Sequence, residues 1–404
     1  MLIVKKFGGS SVANKERVFN VAKRIAETYD KGNDVIVVLS AQGDTTDELL
    51  AKAAEISGKP SRREMDMLLS TGEQQSVAYM AMALHELGYN AVSLNAYQVG
   101  MNTTSTYSNA RLKRIDSERI KHELERKNII LVTGFQGINR YDDITTLGRG
   151  GSDTTAVAIA AALKADKCEI YTDVNGVYTA DPRVVKNARK LDEISYDEML
   201  ELASLGAKVL HNRSVELAKK YNVELVVRSS LTREEGTIVK EVSSMEKMLV
   251  SGVAADKDVA RIAVMGIKNE PGKAFKLFEL MAKNNINVDI ILQSIGRDGL
   301  KDISFTVPKE LAEEATNVIE KNLQVVSAHK VVCDRNVAKV SVVGAGMASN
   351  SGVAAMMFES LFDADVNIHM ISTSEIKISI LIDEKNIDLA MNSIHDHFNL
   401  KMGR

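Results

Sequence analysis

The 404-residue chain has no tryptophan, 4 prolines and 2 cysteines, and its 51 basic and 54 acidic side chains leave a formal net charge of −3. Each scarcity removes a class of protein. Cys168 and Cys333 are too few and too far apart for a disulfide framework or a thiolate metal site, which points to a reduced, cytoplasmic compartment. So few prolines leave little sign of long rigid linkers. Near-neutral charge gives no electrostatic reason to expect nucleic acid or a membrane surface as partner. No run approaches the roughly 18 consecutive apolar residues of a membrane helix. The opening MLIVKKFGGSS has too short an apolar stretch, with its lysines on the wrong side, for a signal peptide. What remains, 45% hydrophobic and 26% charged residues, is the composition of an ordered globular protein. At about 150 residues per domain the length suggests two to four domains.

The first ~240 residues alternate short β-branched runs with longer helical patterns, which predicts an α/β domain with a mainly parallel sheet. Strands are expected at 2–4, 35–39, 91–94, 129–132, 169–171 and 223–227, and helices at 15–31, 62–87 and 154–163. The Met-rich stretch 65–82 reads as core filler. A polar segment at 233–247 marks the domain boundary. Beyond it the chain repeats itself: VARIAVMG from Val259 returns as VAKVSVVG from Val337, and Phe278, Asn287 and Ser294 find counterparts in Phe358, Asn367 and Ser374. Offsets that drift by a few residues indicate duplication with loop indels. Two copies are too few for a solenoid, so a paired βαββαβ module of ~75 residues per copy is expected.

Three glycine-rich turns carry the chemistry. KFGGSS (6–11) follows a strand; its glycines permit close backbone approach to an anion, Lys6 adds a charge, and the next helix N-terminus would present free N–H groups. The glycine spacing of a Walker loop or dinucleotide fingerprint is missing. TTLGRGGSDTTA (145–156) offers Arg149 as a fork for a carboxylate or phosphate, Gly150 and Gly151 for backbone approach, hydroxyls at Ser152 and Thr154, and Asp153 among these donors. YTDVNGVYTADPR (171–183) places Asp173 and Asp181 in turns, where solvated caps compete with ribose or Mg²⁺-water ligation. STGEQQS (70–76) contributes Glu73, whose bland role is a helix-end charge. His211, His369, His395 and His397 share no metal-ligand spacing.

These motifs, with SAQGDTTDELL (40–50), stand in the order seen in aspartate kinases of the amino acid kinase family, and the tail, including STSEIKIS (372–379), resembles their tandem ACT domains. The resemblance spans essentially the whole chain. It implies a three-layer amino acid kinase domain over 1–240, a linker at 241–258, and ferredoxin-like βαββαβ ACT domains at 259–333 and 334–404. It further implies transfer of the ATP γ-phosphoryl group to the β-carboxylate of L-aspartate, with ATP and Mg²⁺, the ion held mainly by phosphates and water rather than a protein cage. Lys6 with the Gly8 and Gly9 amides, assisted by Ser10, would stabilise the transferring phosphoryl, and Asp153 would hold the lysines. Arg149, Gly150, Gly151 and Ser152 would grip an aspartate carboxylate, Glu73 its amino group, and Thr45 would line the pocket. Phe7, Ser40, Thr172, Asp173, Thr179, Asp181, Arg183 and Lys208 would belong to the nucleotide site.

In the tail, the same resemblance implies amino-acid effectors, lysine alone or with threonine, bound between paired ACT modules of a homodimer. The first copy would use Lys268, Asn269, Pro271, Gly272, Ala274, Asn287, Val288, Asp289 and Gln293. The second offers Ser351, Gly352, Val353, Asn367, Ile368, Ser374 and Glu375. The copies differ where Asp289 becomes His369, so one copy type is expected to bind effector strongly. A glutamate or acetylglutamate kinase fits the ACT pair and the SAQGDTTDELL stretch less well. A decayed amino-acid sensor would be expected to have lost Lys6, Arg149 or Asp153, and a nicotinamide dehydrogenase needs a glycine fingerprint that the first strand lacks.

Overall fold

A computed structural model of the chain describes residues 1–205, 209–241, 249–294 and 299–400, and the statements below concern these. They divide into two units: one of 1–177, 190–203 and 209–241, the other of 178–189, 204–205 and the remainder from 249.

In the first unit the strands are β1 (Leu2–Phe7), β2 (Asp34–Leu39), β3 (Ala91–Leu94), β4 (Met101–Thr103), β5 (Leu112–Ile115), β6 (Ile129–Thr133), β7 (Gln136–Ile138), β8 (Ile144–Thr146), β9 (Lys167–Thr172), β10 (Glu193–Ser195), β11 (Leu225–Ser229) and β12 (Thr237–Lys240). The helices up to this point are α1 (Lys15–Tyr29), α2 (Thr45–Ile56), α3 (Arg62–Glu86), α4 (Glu118–Glu125), α5 (Gly151–Leu163), α6 (Tyr196–Ser204) and α7 (Asn212–Tyr221). Eight strands form one sheet in the order β10-β12-β11-β9-β1-β2-β6-β3, parallel from β11 through β3. Strand alternation sorts its side chains. Val35, Val37, Leu39 and Phe7 face α1 and α3, while the Ala-rich α5 lies against β1, β2 and β9 on the other side. The result is a three-layer domain.

A second sheet, β5-β4-β7-β8, goes beyond the strands predicted from sequence. Its strands are three or four residues long and largely polar, so they lack the hydrophobic alternation that betrays longer ones. It matters because β8 leads directly into the Arg149 loop.

The second unit contains β13 (Gly252–Asp256), β14 (Val259–Lys268), β15 (Ile291–Gln293), β16 (Leu300–Pro308), β17 (Lys330–Asp334), β18 (Val337–Val343), β19 (Met370–Thr373) and β20 (Lys377–Asp383). Its helices are α8 (Lys273–Lys283), α9 (Ala312–Glu320), α10 (Leu323–Val326), α11 (Val353–Asp363) and α12 (Ile387–His397). Its first sheet, β15-β16-β14-β17, is a complete βαββαβ module. The second, β13-β18-β20-β19, departs from expectation: its outer strand β13 comes from residues 252–256, inside the stretch assigned to a linker. Among the described residues no strand follows α12, so β18 takes its antiparallel neighbour from the chain segment preceding the first copy. The first module is therefore an insertion within the second. Val259, Ile290, Val337, Met370 and Leu381 form a small shared core between the two.

A further departure concerns 178–189, assigned by sequence to the kinase domain. Ala180, Val185 and Ala188 pack into the core of this second module beside Val253, Val340 and Met391, so this excursion belongs structurally to the second unit.

Candidate active site

In open α/β sheets ligands bind outside the carboxyl ends of the strands, where the strand order reverses. Here β1 has β2 on one side and β9 on the other. The carboxyl ends of β1, β2, β6, β9 and β11 release KFGGSS, SAQGD, TGF, TDVNG and RSS, and those of β1, β2 and β9 are motif positions picked out from sequence.

Lys5 and Lys6 point to opposite faces of β1. Lys5 is buried against Glu169 and the Tyr171 hydroxyl on the α1–α3 side. Lys6 lies on the α5 side, where its Nζ meets Asp153 Oδ1 at 2.8 Å, both side chains 12% exposed. Asp153 stands in the first turn of α5, a favourable place for a negative charge. The Lys6 ammonium also lies 3.5 Å from where a Gly8 side chain would begin. The loop itself differs from expectation. It closes through a 3₁₀ turn, Gly9–Val12, and α1 starts only at Lys15, its N-terminus capped by Asn14, whose side chain accepts from Arg17 N at 3.0 Å. Asn14 thus satisfies one donor of the α1 terminus, and the segment that follows β1 directly is this 3₁₀ turn rather than the helix. Gly9 is required by closeness: an added Cβ would lie 2.5 Å from the Ala41 carbonyl. The Ser40 amide donates to the Phe7 carbonyl at 3.2 Å. Phe7 offers only backbone, because its ring is buried and stacked 4.4 Å from Tyr171. Ser10 is exposed, its carbonyl held by Arg17.

Glu73 is not a helix-end charge; it sits mid-helix in α3, 3% exposed. Oε1 accepts from Ala41 N at 3.2 Å, while Oε2 is buried without a hydrogen-bond partner among the described residues. Burial pushes its carboxyl up to about 7. Gly72 lets the helix approach: a Cβ there would lie 2.8 Å from Ala41 Cβ and 3.5 Å from the Thr45 methyl. Arg149, by contrast, is exposed and has no ion-pair partner among the described residues. The glycines after it are demanded by packing. Gly150 has φ +67° with His211 filling the space of a side chain at 2.2 Å, and Gly151 abuts Phe135 and Leu147. Ser152 is buried against Gly134.

The nucleotide candidates separate. Thr172 ends β9, its hydroxyl accepting from Val174 N at 3.1 Å, and Asp173 is exposed beside it. Thr179, Asp181 and Arg183 instead belong to the second unit. Thr179 is fully buried; its hydroxyl lies 3.0 Å from His395 Nε2 and accepts from Arg189 N at 2.9 Å. Asp181 and Arg183 pair with each other, 2.7 Å from Oδ2 to Nη2. A hydroxyl so enclosed is not free to meet a nucleotide, which corrects the expectation for Thr179. Lys208 lies outside the described residues. Sequence reasoning missed Ser230, whose amide donates to the Thr172 carbonyl at 2.8 Å and whose hydroxyl accepts from Ser11 at 2.8 Å. The only signal was the RSS triplet closing β11. It also missed Gly134, signalled by TGF after β6.

In the second unit the two effector-candidate clusters are similarly built. Gly272 and Gly352 open α8 and α11 with φ of +87° and +99°. Lys268, Asn269, Pro271, Asn287 and Gln293 are exposed, as are Ser351, Asn367, Ser374 and Glu375, with Ala274, Val288 and Ile368 half-buried. Val353 is a correction: its side chain is buried in the second ACT core, leaving only backbone for a ligand. Asp289 is engaged by Lys339 at 2.5 Å, and His369 Nε2 lies 2.8 Å from Asp383.

The family model described as "Amino acid kinase family" matches residues 1–229, and that described as "ACT domain" matches 262–323 and 340–398. An aspartokinase of Bacillus sp. (strain MGA3) is 51% identical over 400 residues, covering 99% of this chain and 97% of that protein. An aspartokinase of Geobacillus stearothermophilus is 53% identical with the same coverage. The crystal structure of an aspartate kinase from Clostridium acetobutylicum, described as allosteric, superimposes with a TM-score of 0.82 at 25% identity, covering 98% of this chain and 100% of that one.

Proposed function

Because the chain belongs to the aspartokinases of the amino acid kinase family, we propose that it transfers the γ-phosphoryl group of ATP to the β-carboxylate of L-aspartate, giving 4-phospho-L-aspartate and ADP. This is the entry step to lysine, methionine and threonine synthesis, and it would run in the cytoplasm. The physical difficulty is that a carboxylate must approach a triphosphate. Two such charges 4 Å apart repel by about 4 kcal/mol at an effective dielectric of 20. Catalysis therefore depends on positioning and charge neutralisation.

The observation that carries the reading is the Lys6–Asp153 pair at the carboxyl end of the central strand. Asp153 orients Lys6 toward the transferring phosphoryl, beside the Gly8 and Gly9 amides and Ser10. Arg149 pairs with the α-carboxylate of aspartate, supported by Gly150, Gly151 and Ser152. Glu73, whose second oxygen lacks a partner among the described residues, accepts the α-ammonium, and Thr45 closes the pocket. With the nucleotide bound, Mg²⁺ supplies further charge neutralisation. Asp153 is committed to Lys6, which leaves exposed Asp173 as the acidic side chain nearest Thr172 in the chain. This donor set fits an ion held chiefly by phosphates and water. Thr172, Ser40 and the Phe7 carbonyl would border the nucleotide.

Through its ACT pair the enzyme would be inhibited by lysine, alone or with threonine, as a homodimer. The test is ATP turnover with L-aspartate, trapping the acyl phosphate with hydroxylamine, with and without each amino acid. Aspartate-dependent hydroxamate that falls on adding lysine is expected. No aspartate-dependent product would overturn the reading.

A further inference from the structure

The site account leaves one fully buried charge unused. Asp66 is 0% exposed on α3, with Ser70 and Glu73 on the same helical face. A buried carboxylate is costly unless hydrogen-bonded, and Asp66 is heavily so. It accepts from Ser108 N at 2.8 and 3.1 Å, Ser108 Oγ at 3.3 Å, Thr146 N at 2.8 Å and Thr146 Oγ1 at 2.8 Å. No cation is among these partners; one carboxylate ties together two backbone runs.

Those runs lead to the substrate loop. Ser108 is held at φ +67°, and its carbonyl lies 3.2 Å from where Gly148 would carry a side chain. The Ala110 amide donates to the Thr146 carbonyl at 2.8 Å. From α7, Arg213 donates to the Leu147 carbonyl at 2.5 Å and the Ala110 carbonyl at 2.9 Å. The segment ending at Gly148 is thus clamped between α3 and α7, and the next residue is Arg149. Glu73 lies two helical turns beyond Asp66 on the same rigid helix, about 10 Å along its axis at 1.5 Å per residue.

Resting on the reading of Arg149 and Glu73 as the two grips on aspartate, we propose that Asp66 is a positioning residue that sets their separation. It anchors the Arg149 loop to the helix that carries Glu73, so the α-carboxylate and α-ammonium sites are held at one spacing. Asp66 touches no reacting atom.

The experiment measures initial hydroxamate rates for the full chain against aspartate and against ATP. Asp66→Asn, which turns an acceptor into a donor facing Thr146 and Ser108, should raise the aspartate KM about tenfold while the ATP KM stays within twofold. Thr146→Val, which removes one donor, keeps the test available if Asp66→Asn does not fold, and should raise the aspartate KM about threefold. Combined with Arg149→Ala, either change should add nothing further to the aspartate KM. A merely structural role lowers kcat per total protein and leaves KM untouched. That result, or parallel rises in both KM values, would overturn the proposal. A wild-type enzyme that makes no aspartate-dependent hydroxamate would instead defeat the underlying reading, and the positioning role with it.

Discussion

Lys6 and Asp153 meet at 2.8 Å although one lies next to the end of the first strand and the other in the first turn of a helix far along the chain. The pair is mostly buried, so neither charge is well solvated and each depends on the other. Lys6→Met should lower kcat at least about a hundredfold, as expected for removing a preorganised charge from a phosphoryl-transfer site. It should also lower Tm, because Asp153 is left without its cation. Hydroxamate rates beside a thermal melt check both; a variant with unchanged kcat would remove Lys6 from the mechanism.

Glu73 gives a pH signature. Its folded-state carboxyl titrates near 7 against 4.5 unfolded, so between those values the folded form holds a proton that the unfolded form has lost. Stability contributed by the neutral carboxyl is complete below about pH 4.5 and declines as pH rises toward 7, by roughly 3 kcal/mol in all. Glu73→Gln should remove that slope in urea melts at pH 5, 6 and 7.5. The wild-type aspartate KM should fall as pH rises through 7, when the ionised form can pair with an ammonium, and the Gln variant should lose this dependence. Parallel pH profiles for the two proteins would contradict the assignment.

Two glycines with similar backbone angles should respond differently to alanine. Gly32 has φ +80° and open space around it, so Gly32→Ala carries only left-handed strain, about 1 kcal/mol. Gly150 has φ +67° and His211 in the way at 2.2 Å, so Gly150→Ala should cost several-fold more stability and raise the aspartate KM. Equal melting shifts would show that His211 yields easily.

Thr179→Val tests the reassigned excursion. Its hydroxyl is buried between His395 and Arg189, and removing it leaves those groups short of a partner at about 1–3 kcal/mol. Tm should fall while the ATP KM holds within twofold. A rise in the ATP KM with no loss of stability would return Thr179 to the nucleotide site.

Asp289 is bound to Lys339, whose side chain is 7% exposed. If effector lysine is recognised there, Asp289→Asn should raise the lysine concentration for half-inhibition more than tenfold and leave uninhibited kcat within twofold. Unchanged inhibition would move the effector site elsewhere.

The alternation of β1 and the glycine pattern around 8–9 and 150–151 were legible because they depend on neighbours in the chain. The same is true of the duplicated tail, whose hydrophobic spacing repeats. Strands 91–94 and 35–39 fall within observed elements for that reason. The small sheet β5-β4-β7-β8 was not legible, since polar strands of three or four residues gain their order from Thr103, Thr145 and their cross-strand partners rather than from a period. Glu73 read as a helix-end charge although the helix expected at 62–87 already placed it mid-helix; what its motif could not reveal is its burial, which depends on the distant Ala41 segment.

The amino-acid sequence alone determined the parallel α/β domain, the tandem modules behind it and the set of charged and glycine-rich turns, since local spacing dictates which face a side chain takes. Tertiary structure alone decided which of those turns meet. It brought Lys6 to Asp153, buried Asp66 under the Arg149 loop, supplied the second ACT sheet with a strand from before the first, and drew 178–189 into the regulatory core. The physical reason is that these contacts join groups far apart in the chain. Their energies depend on desolvation and geometry at the meeting point, and no local pattern in the chain encodes that.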